Sequence, residues 1–167
     1  MHTSRAQRLF YGLPDALIPP DPVTEVVLHD RVQTYFERLL IAPGLAHAGG
    51  LYGTMDGHTL TAVLAHAPSH VRLRDHDPAA VLALDRQYLL GGAAALWELT
   101  GGAVDYQGVW LVCADLALPD DVDEARWVKE ATARRLLPQG GGVLFVGRAG
   151  EGGVAARWCP APRERLI

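Results

Sequence analysis

The sequence predicts an α/β domain in which a mostly antiparallel sheet is flanked by three helices. Short β-branched runs bounded by turn residues predict the strands, and three longer segments with apolar residues at helical spacing predict the helices. No internal repeat is visible. At 167 residues, of which 49% are hydrophobic and 20% charged, the chain is long enough to bury one core. We therefore expect one domain over 22–167, preceded by an N-terminal arm over 1–21.

The N-terminal arm is predicted from its prolines. The stretch Ile18-Pro19-Pro20-Asp21-Pro22 is too rich in proline for a helix and favours an extended conformation over 1–21. The next residues, 23–28, are short and β-branched, as expected of a strand. The domain therefore begins with a strand.

A helix and a hairpin follow this strand. Apolar side chains recur at helical spacing over 29–42, and Pro43-Gly44 ends the pattern. Two strands over 49–53 and 59–65 flank a turn at Asp56-Gly57. This half of the chain supplies one helix and three strands.

The second half supplies two more helices and three strands. Asp77-Pro78 is a favourable helix start, and a helix is predicted over 77–99. An apolar strand is expected over 104–114. An aspartate cap at Asp120 or Asp121 then begins a helix over 120–137. Glycine-rich turns separate the last two strands, which are predicted over 143–146 and 154–158.

Composition narrows the functional classes. The net charge of -4 and the absence of a basic stripe argue against a nucleic-acid surface. No signal-peptide pattern and no run of about 18 apolar residues are present, so we expect a cytoplasmic protein with no membrane partner. Cys113 and Cys159 have no metal-type spacing and are expected to be buried free thiols.

Three motifs occur in a fixed order along the chain. Gly49-Gly50-Leu51-Tyr52-Gly53 contains G-x-L-x-G, Gly108-Val109-Trp110 is G-x-W, and Pro119-Asp120-Asp121-Val122-Asp123 fits P-S-x-x-D except at the serine. Over residues 22–160 the order of these motifs and of the predicted elements resembles the MPN domain, which is the fold of the JAMM zinc isopeptidases. The resemblance implies an MPN-like fold for this chain.

The resemblance also implies where a zinc site would be. In that family two histidines and an aspartate bind zinc, and a glutamate is the general base. The histidine positions fall on Leu111 and Cys113, and the glutamate position falls on Ala46, or on His47 if the register slips by one. The family's serine position holds Asp120, whereas Trp110 and Asp123 keep the frame. We call all these positions the remnant groove: Ala46, His47, Trp110, Leu111, Cys113, Asp120 and Asp123.

Only Asp123 is left as a possible zinc ligand in the remnant groove. The resemblance therefore implies a pseudoenzyme without catalytic residues or cofactor, which acts as a protein-interaction or scaffold module. Pairing with another copy or with a partner protein is expected through the helix over 77–99, with Leu96 and Trp97 on the pairing face. One alternative is a hydrolase with a rebuilt metal site, in which Cys113 or His47 joins Asp123. Another is a module that binds a small ligand or a peptide in the remnant groove.

Two other clusters have ordinary explanations. His66, His70 and His76 lie near Asp75 and Asp77, but Pro68 argues against a helix that would align them, so a solvated loop is expected. An acidic cluster precedes and opens the third predicted helix, where carboxylates stabilise the helix N-terminus. A weak cation site or an acidic docking surface is the alternative for this cluster, which comprises Asp115, Asp120, Asp121, Asp123 and Glu124.

Overall fold

The computed structural model describes residues 3–67 and 77–162, so His70, Asp75 and His76 lie outside the described residues. The described residues form five helices and six strands. In chain order these elements are α1 (Arg5–Phe10), β1 (Glu25–Leu28), α2 (Asp30–Leu39), β2 (His47–Asp56), β3 (Thr59–His66), α3 (Pro78–Val81), α4 (Arg86–Leu99), β4 (Asp105–Val112), α5 (Asp121–Ala133), β5 (Gly142–Arg148) and β6 (Val154–Pro160).

The six strands form one mixed sheet in the order β1-β3-β2-β4-β5-β6. β2 is antiparallel to β3 and β4, and β6 is antiparallel to β5. β1 is parallel to β3, however, and β4 is parallel to β5. The sheet curves almost into a barrel. The predicted fold class is therefore wrong in its architecture: the sheet is mixed and accompanied by five short helices, although the α/β class is correct.

The parallel pairs arise from connections that a local pattern does not reveal. α5 carries the chain from the end of β4 back to the start of β5, and such a crossover makes the two strands parallel. β1 pairs with β3 only after α2 and β2 have intervened. An apolar run predicts that a strand exists, but its neighbour in the sheet depends on long-range packing.

The N-terminal arm differs from the prediction because it begins with a helix. Ser4 caps α1 in a capping box with Gln7: each side chain accepts a hydrogen bond from the other residue's backbone N–H. The prolines that argued against a helix begin only at Pro14, after α1 has ended. Proline breaks a helix only locally, so the six residues of α1 are unaffected.

The helix predicted over 77–99 is divided into two. Asp77 caps α3, and Asp85 caps α4 by accepting hydrogen bonds from the N–H groups of Gln87 and Tyr88. The second aspartate favours a new helix start, which interrupts the first helix at Leu82. Over the two described ranges, the structure contains no helix long and apolar enough to cross a membrane.

The two faces of the sheet bury separate cores. Alternate residues of β4 point to opposite faces, so Val109 and Leu111 enter a first core while Trp110 and Val112 enter a second. Helices α1, α4 and α5 contribute side chains to the first core. Helix α2 contributes Val32 and Phe36 to the second core. The faces of β4 therefore decide which remnant-groove residues can meet.

Candidate functional site: the remnant groove

Ala46, Leu111 and Cys113 lie together on the first-core face of the sheet. In the pairing of β2 with β4, His47 lies opposite Val112 and Ala48 lies opposite Leu111. Ala46 and Cys113 come directly before β2 and directly after β4, next to this paired stretch. Ala46 and Leu111 are 5% and 1% exposed within the first core, and Cys113 packs against the same cluster. The positions that the resemblance assigns to the glutamate and to the two histidines are therefore neighbours.

His47 and Trp110 lie on the opposite face. His47 precedes Ala48 in β2, and successive strand residues point to opposite sides. The Trp110 ring packs in the second core with its centroid 5.6 Å from that of Tyr35 and 5.4 Å from that of Phe36. Of the two candidates for the glutamate position, only Ala46 lies on the same face of the sheet as Leu111.

Asp120 and Asp123 lie at the start of α5. The Asp120 side chain caps α5 by accepting a hydrogen bond of 2.8 Å from the Asp123 backbone N–H. The half-exposed Asp123 carboxylate pairs with Arg126 at 3.4 Å. It is also close enough to Cys113 to raise the pKa of that thiol. The Asp123 charge thus acts on Cys113, whereas Asp120 has the ordinary role of a helix cap.

Cys113 is held in its protonated form. Burial, followed by the negative charges of Asp115 and Asp123, raises the pKa of the Cys113 thiol to about 11. Thiolates rather than thiols attack electrophiles and bind metals, and activated cysteines have a lowered pKa. At neutral pH Cys113 is therefore a small, partly buried side chain, rather than the fully buried one predicted, and a poor ligand or nucleophile.

The residues present do not fit the zinc centre that the resemblance implies. Leu111 has no donor atom, and Ala46 has no group that accepts a proton from water. A catalytic zinc needs about three protein ligands and an open position for water. Within the described ranges, His, Cys, Asp and Glu side chains nowhere form a group of three that could hold a metal ion. We therefore derive no zinc chemistry at the remnant groove.

The glycines of the two strand motifs have a structural role. A Cβ on Gly49 would collide with the backbone carbonyl of His66 on β3. Gly108 has φ of 130° and lies so close to the Gly142 carbonyl that a Cβ there would overlap it. Only glycine combines that conformation with such a close approach. These two glycines of the G-x-L-x-G and G-x-W patterns are required by the packing of the sheet, whatever the chemistry of the groove.

Most carboxylates of the acidic cluster have local partners. Asp115 accepts a hydrogen bond of 3.0 Å from the Ala117 backbone N–H. Glu124 pairs at 2.5 Å with Arg157, which ties α5 to β6. With Asp120 and Asp123 engaged at the helix start, these contacts favour capping and local ion pairing over a cation site.

The structure also contains a groove that the sequence did not reveal. Its volume is about 590 Å³, and it runs along one side of α5 between that helix and the end of β6. A stripe of α5 side chains recurs every three or four residues along it, which is the sequence signal that could have indicated this face. We call it the α5 groove, and its lining residues are Asp121, Glu124, Ala125, Val128, Lys129, Thr132, Ala133, Cys159 and Pro162.

Comparison with known proteins assigns no family to the chain. A scan against protein-family models finds no match, and a search of curated proteins also finds none. The interpretation of the remnant groove thus depends on the residues and their geometry.

Proposed function

We propose that this chain is a non-catalytic relative of the JAMM zinc isopeptidases that acts as a protein-interaction or scaffold module. One observation carries the proposal. Ala46, Leu111 and Cys113, which the resemblance assigns to the catalytic base and two zinc ligands, pack in one cluster on the same face of the sheet, and the Asp123 charge raises the pKa of Cys113. Leu111 and Cys113 share a face because they are two residues apart, so Ala46 and Asp123, which come from other parts of the chain, supply the independent part of this observation.

The side chains at this place support a role without catalysis. Ala46 and Leu111 are buried, so the space that a water and a metal would need is occupied by apolar packing. We propose a cytoplasmic setting, which agrees with the free thiols of Cys113 and Cys159.

Helix α4 is the surface that best fits an interaction role. Tyr88 and Leu99 are 50% and 83% exposed, and the small residues Gly91, Ala94 and Ala95 are exposed between them. Leu96 and Trp97, which were predicted to form the pairing face, are only partly exposed, and the Trp97 ring lies against Gly102. We therefore propose that α4 contacts another protein or a second copy through its Tyr88–Leu99 side.

Metal analysis of untagged protein tests the non-catalytic part of this proposal. We expect no stoichiometric zinc, because the remnant groove offers a protonated thiol and one carboxylate. Elemental analysis of protein purified in zinc-containing buffer measures this directly, with Asp123→Ala as the matched variant. Zinc bound at one equivalent by the wild type and lost in Asp123→Ala would establish a rebuilt metal site instead.

Light scattering over a dilution series tests the interaction part. If α4 pairs with a second copy, the mass should exceed that of the 18.0 kDa monomer at high concentration. Ala95→Glu on the exposed face should shift the association constant at least about tenfold towards monomer, because it buries a charge at the contact. Ala83→Glu, at an exposed position before α4, is the control. A monomer at every concentration would limit α4 to contacts with other proteins.

Peptide binding is a second candidate, and the α5 groove favours it. The remnant groove itself is closed by Ala46 and Leu111, whereas the α5 groove is open and lined mainly by apolar atoms. Open apolar grooves of this size are typical of binding sites.

A further inference from the structure

β6 is an edge strand with one unpaired side. It is last in the sheet and pairs only with β5. Hydrogen bonds mark which of its residues face β5: Ala161 donates to the Gly141 carbonyl at 2.8 Å, and Ala149 donates to the Gly153 carbonyl at 2.7 Å. In an antiparallel ladder, hydrogen-bonded pairs alternate with pairs that have no hydrogen bonds. The odd-numbered residues over 153–161 therefore bond to β5.

The even-numbered residues of β6 consequently direct their backbone groups away from the sheet. These are Val154, Ala156 and Trp158, and the structure gives their outward N–H and C=O groups no partner over residues 3–67 and 77–162. Ala156, at the centre of this row, is exposed. Pro160 follows the row and has no N–H. The edge thus offers a row of three donors and three acceptors to another chain.

The other edge of the sheet is less suited to strand addition. β1 has only four residues and follows Pro22 closely. Very short edge strands and prolines are common ways to prevent pairing at a sheet edge. β6 has seven residues, and its proline stands at the end of the strand rather than within the open row. Of the two edges, β6 has the longer row of unpaired backbone groups.

Helix α5 provides a wall beside this edge. The α5 groove borders β6 at Cys159, directly after Trp158, so an added strand would send side chains towards Ala125 and Val128 at that end of the row. One end of the groove carries Asp121, for which the described part of the chain supplies no ion pair. An incoming basic side chain would find a complementary charge there.

We infer that β6 takes up an extended segment of a partner protein as a seventh strand, with small apolar side chains in the α5 groove and a basic side chain near Asp121. The inference rests on the proposed interaction function and names a second surface for it. The row of unpaired backbone groups supplies affinity, whereas the groove and Asp121 select the side chains.

The probe is a synthetic peptide of about six residues with alternating valine and threonine and one lysine, matched by a peptide with glutamate in place of lysine. Amide hydrogen exchange followed by NMR reports the site, and calorimetry reports affinity. The lysine peptide should slow exchange at Ala156 and Trp158 at least about tenfold, because their N–H groups become hydrogen-bonded. It should also bind more tightly than the glutamate peptide, and this preference should shrink in Asp121→Asn.

Two substitutions at one position test the strand pairing. Ala156→Pro removes an outward N–H that β5 does not use, and proline is tolerated at such edge positions. Ala156→Pro should lower the affinity for the lysine peptide about tenfold. Ala156→Ser keeps the N–H, so its affinity for this peptide should stay within about twofold of wild type. Should Ala156→Pro fail to fold by circular dichroism, the exchange pattern of the wild type decides.

No binding by the wild type, or protection away from β6, would overturn the inference. That outcome would leave the proposed function standing if Ala95→Glu still alters association in light scattering. Protection at β6 together with unchanged mass in the Ala95→Glu variant would instead support strand addition and count against α4 as a pairing face.

Discussion

Cys113 keeps its proton at neutral pH because its surroundings are apolar and negatively charged. Its pKa of about 11 means that only a small fraction is thiolate near pH 8. Compared with a free cysteine of pKa about 8.5, we expect alkylation by iodoacetamide at pH 8 to be roughly a hundredfold slower. Mass spectrometry of the peptide containing Cys113 gives the rate. Alkylation as fast as that of free cysteine would show an accessible, activated thiol.

The Cys113 thiol also makes the stability of the fold depend on pH in the alkaline range. The pKa of Cys113 is higher in the folded state than in the unfolded chain, so its contribution to the free energy of unfolding is complete below about pH 8.5 and falls as pH rises towards 11. Cys159, whose pKa burial and Glu124 also raise to about 11, acts in the same direction. Urea unfolding at neutral and alkaline pH should show a smaller loss of stability for Cys113→Ser than for wild type.

At the scale of elements, the stability of α5 depends on the residues at its N-terminus, above all on the cap Asp120. Asp120→Ala should lower the free energy of unfolding by about 1 kcal/mol, because it removes the cap that accepts the Asp123 N–H. Asp120→Asn keeps an acceptor and should change stability little. Asp123→Ala removes only an exposed ion pair and should cost less than about 1 kcal/mol. Urea denaturation of the three variants checks this order, and equal losses for Asp120→Asn and Asp120→Ala would exclude the capping role.

Helix starts and turns were the most predictable elements. Asp77 and Asp120 cap helices as predicted, because a cap acts on the backbone N–H groups of the next few residues. A turn joins β2 to β3 where it was predicted, but its two residues are Gly57 and His58, because Asp56 still pairs with Thr59. The break before α4 was missed because Asp85 lies within a run that reads as one helix.

Sheet order and the sides of the strands required the structure. The motifs indicated Ala46 or His47 as the partner of Leu111, and only the register of β2 against β4 places Ala46 on that face. The α5 groove also depends on the packing of α5 beside Cys159 and Pro162, which no local pattern encodes. A sequence thus locates the segments of a candidate site, whereas long-range register decides which side chains meet.

At the scale of the whole molecule, the N-terminal residues belong to the domain rather than to a separate arm. The Arg5 guanidinium donates a hydrogen bond of 2.7 Å to the Gln107 side chain. The backbone N–H of Arg5 donates one of 2.9 Å to the Asp105 carboxylate. Burial lowers the pKa of Arg5, and Asp105 partly offsets this effect. The Phe10 ring packs 5.3 Å from that of Tyr106. Helix α1 therefore covers the start of β4.

Removal of residues 1–11 should destabilise the domain. The deletion uncovers the first core at Tyr106 and leaves the Gln107 and Asp105 side chains without these partners, so the melting temperature should fall by several degrees. Arg5→Ala should reproduce part of the loss, whereas Arg8→Ala, near the end of α1, is the control. Differential scanning calorimetry measures these changes. An unchanged melting temperature in the deletion variant would mean that α1 is dispensable.

The contact between Arg5 and Asp105 joins positions that are 100 residues apart. On the ribosome the first residues emerge long before their partners on β4 have been synthesised. Helix α1 is too short to persist alone in water, so it has to wait until most of the sheet exists. The docking of α1 onto β4 is therefore a late step in the folding of a chain that is being synthesised.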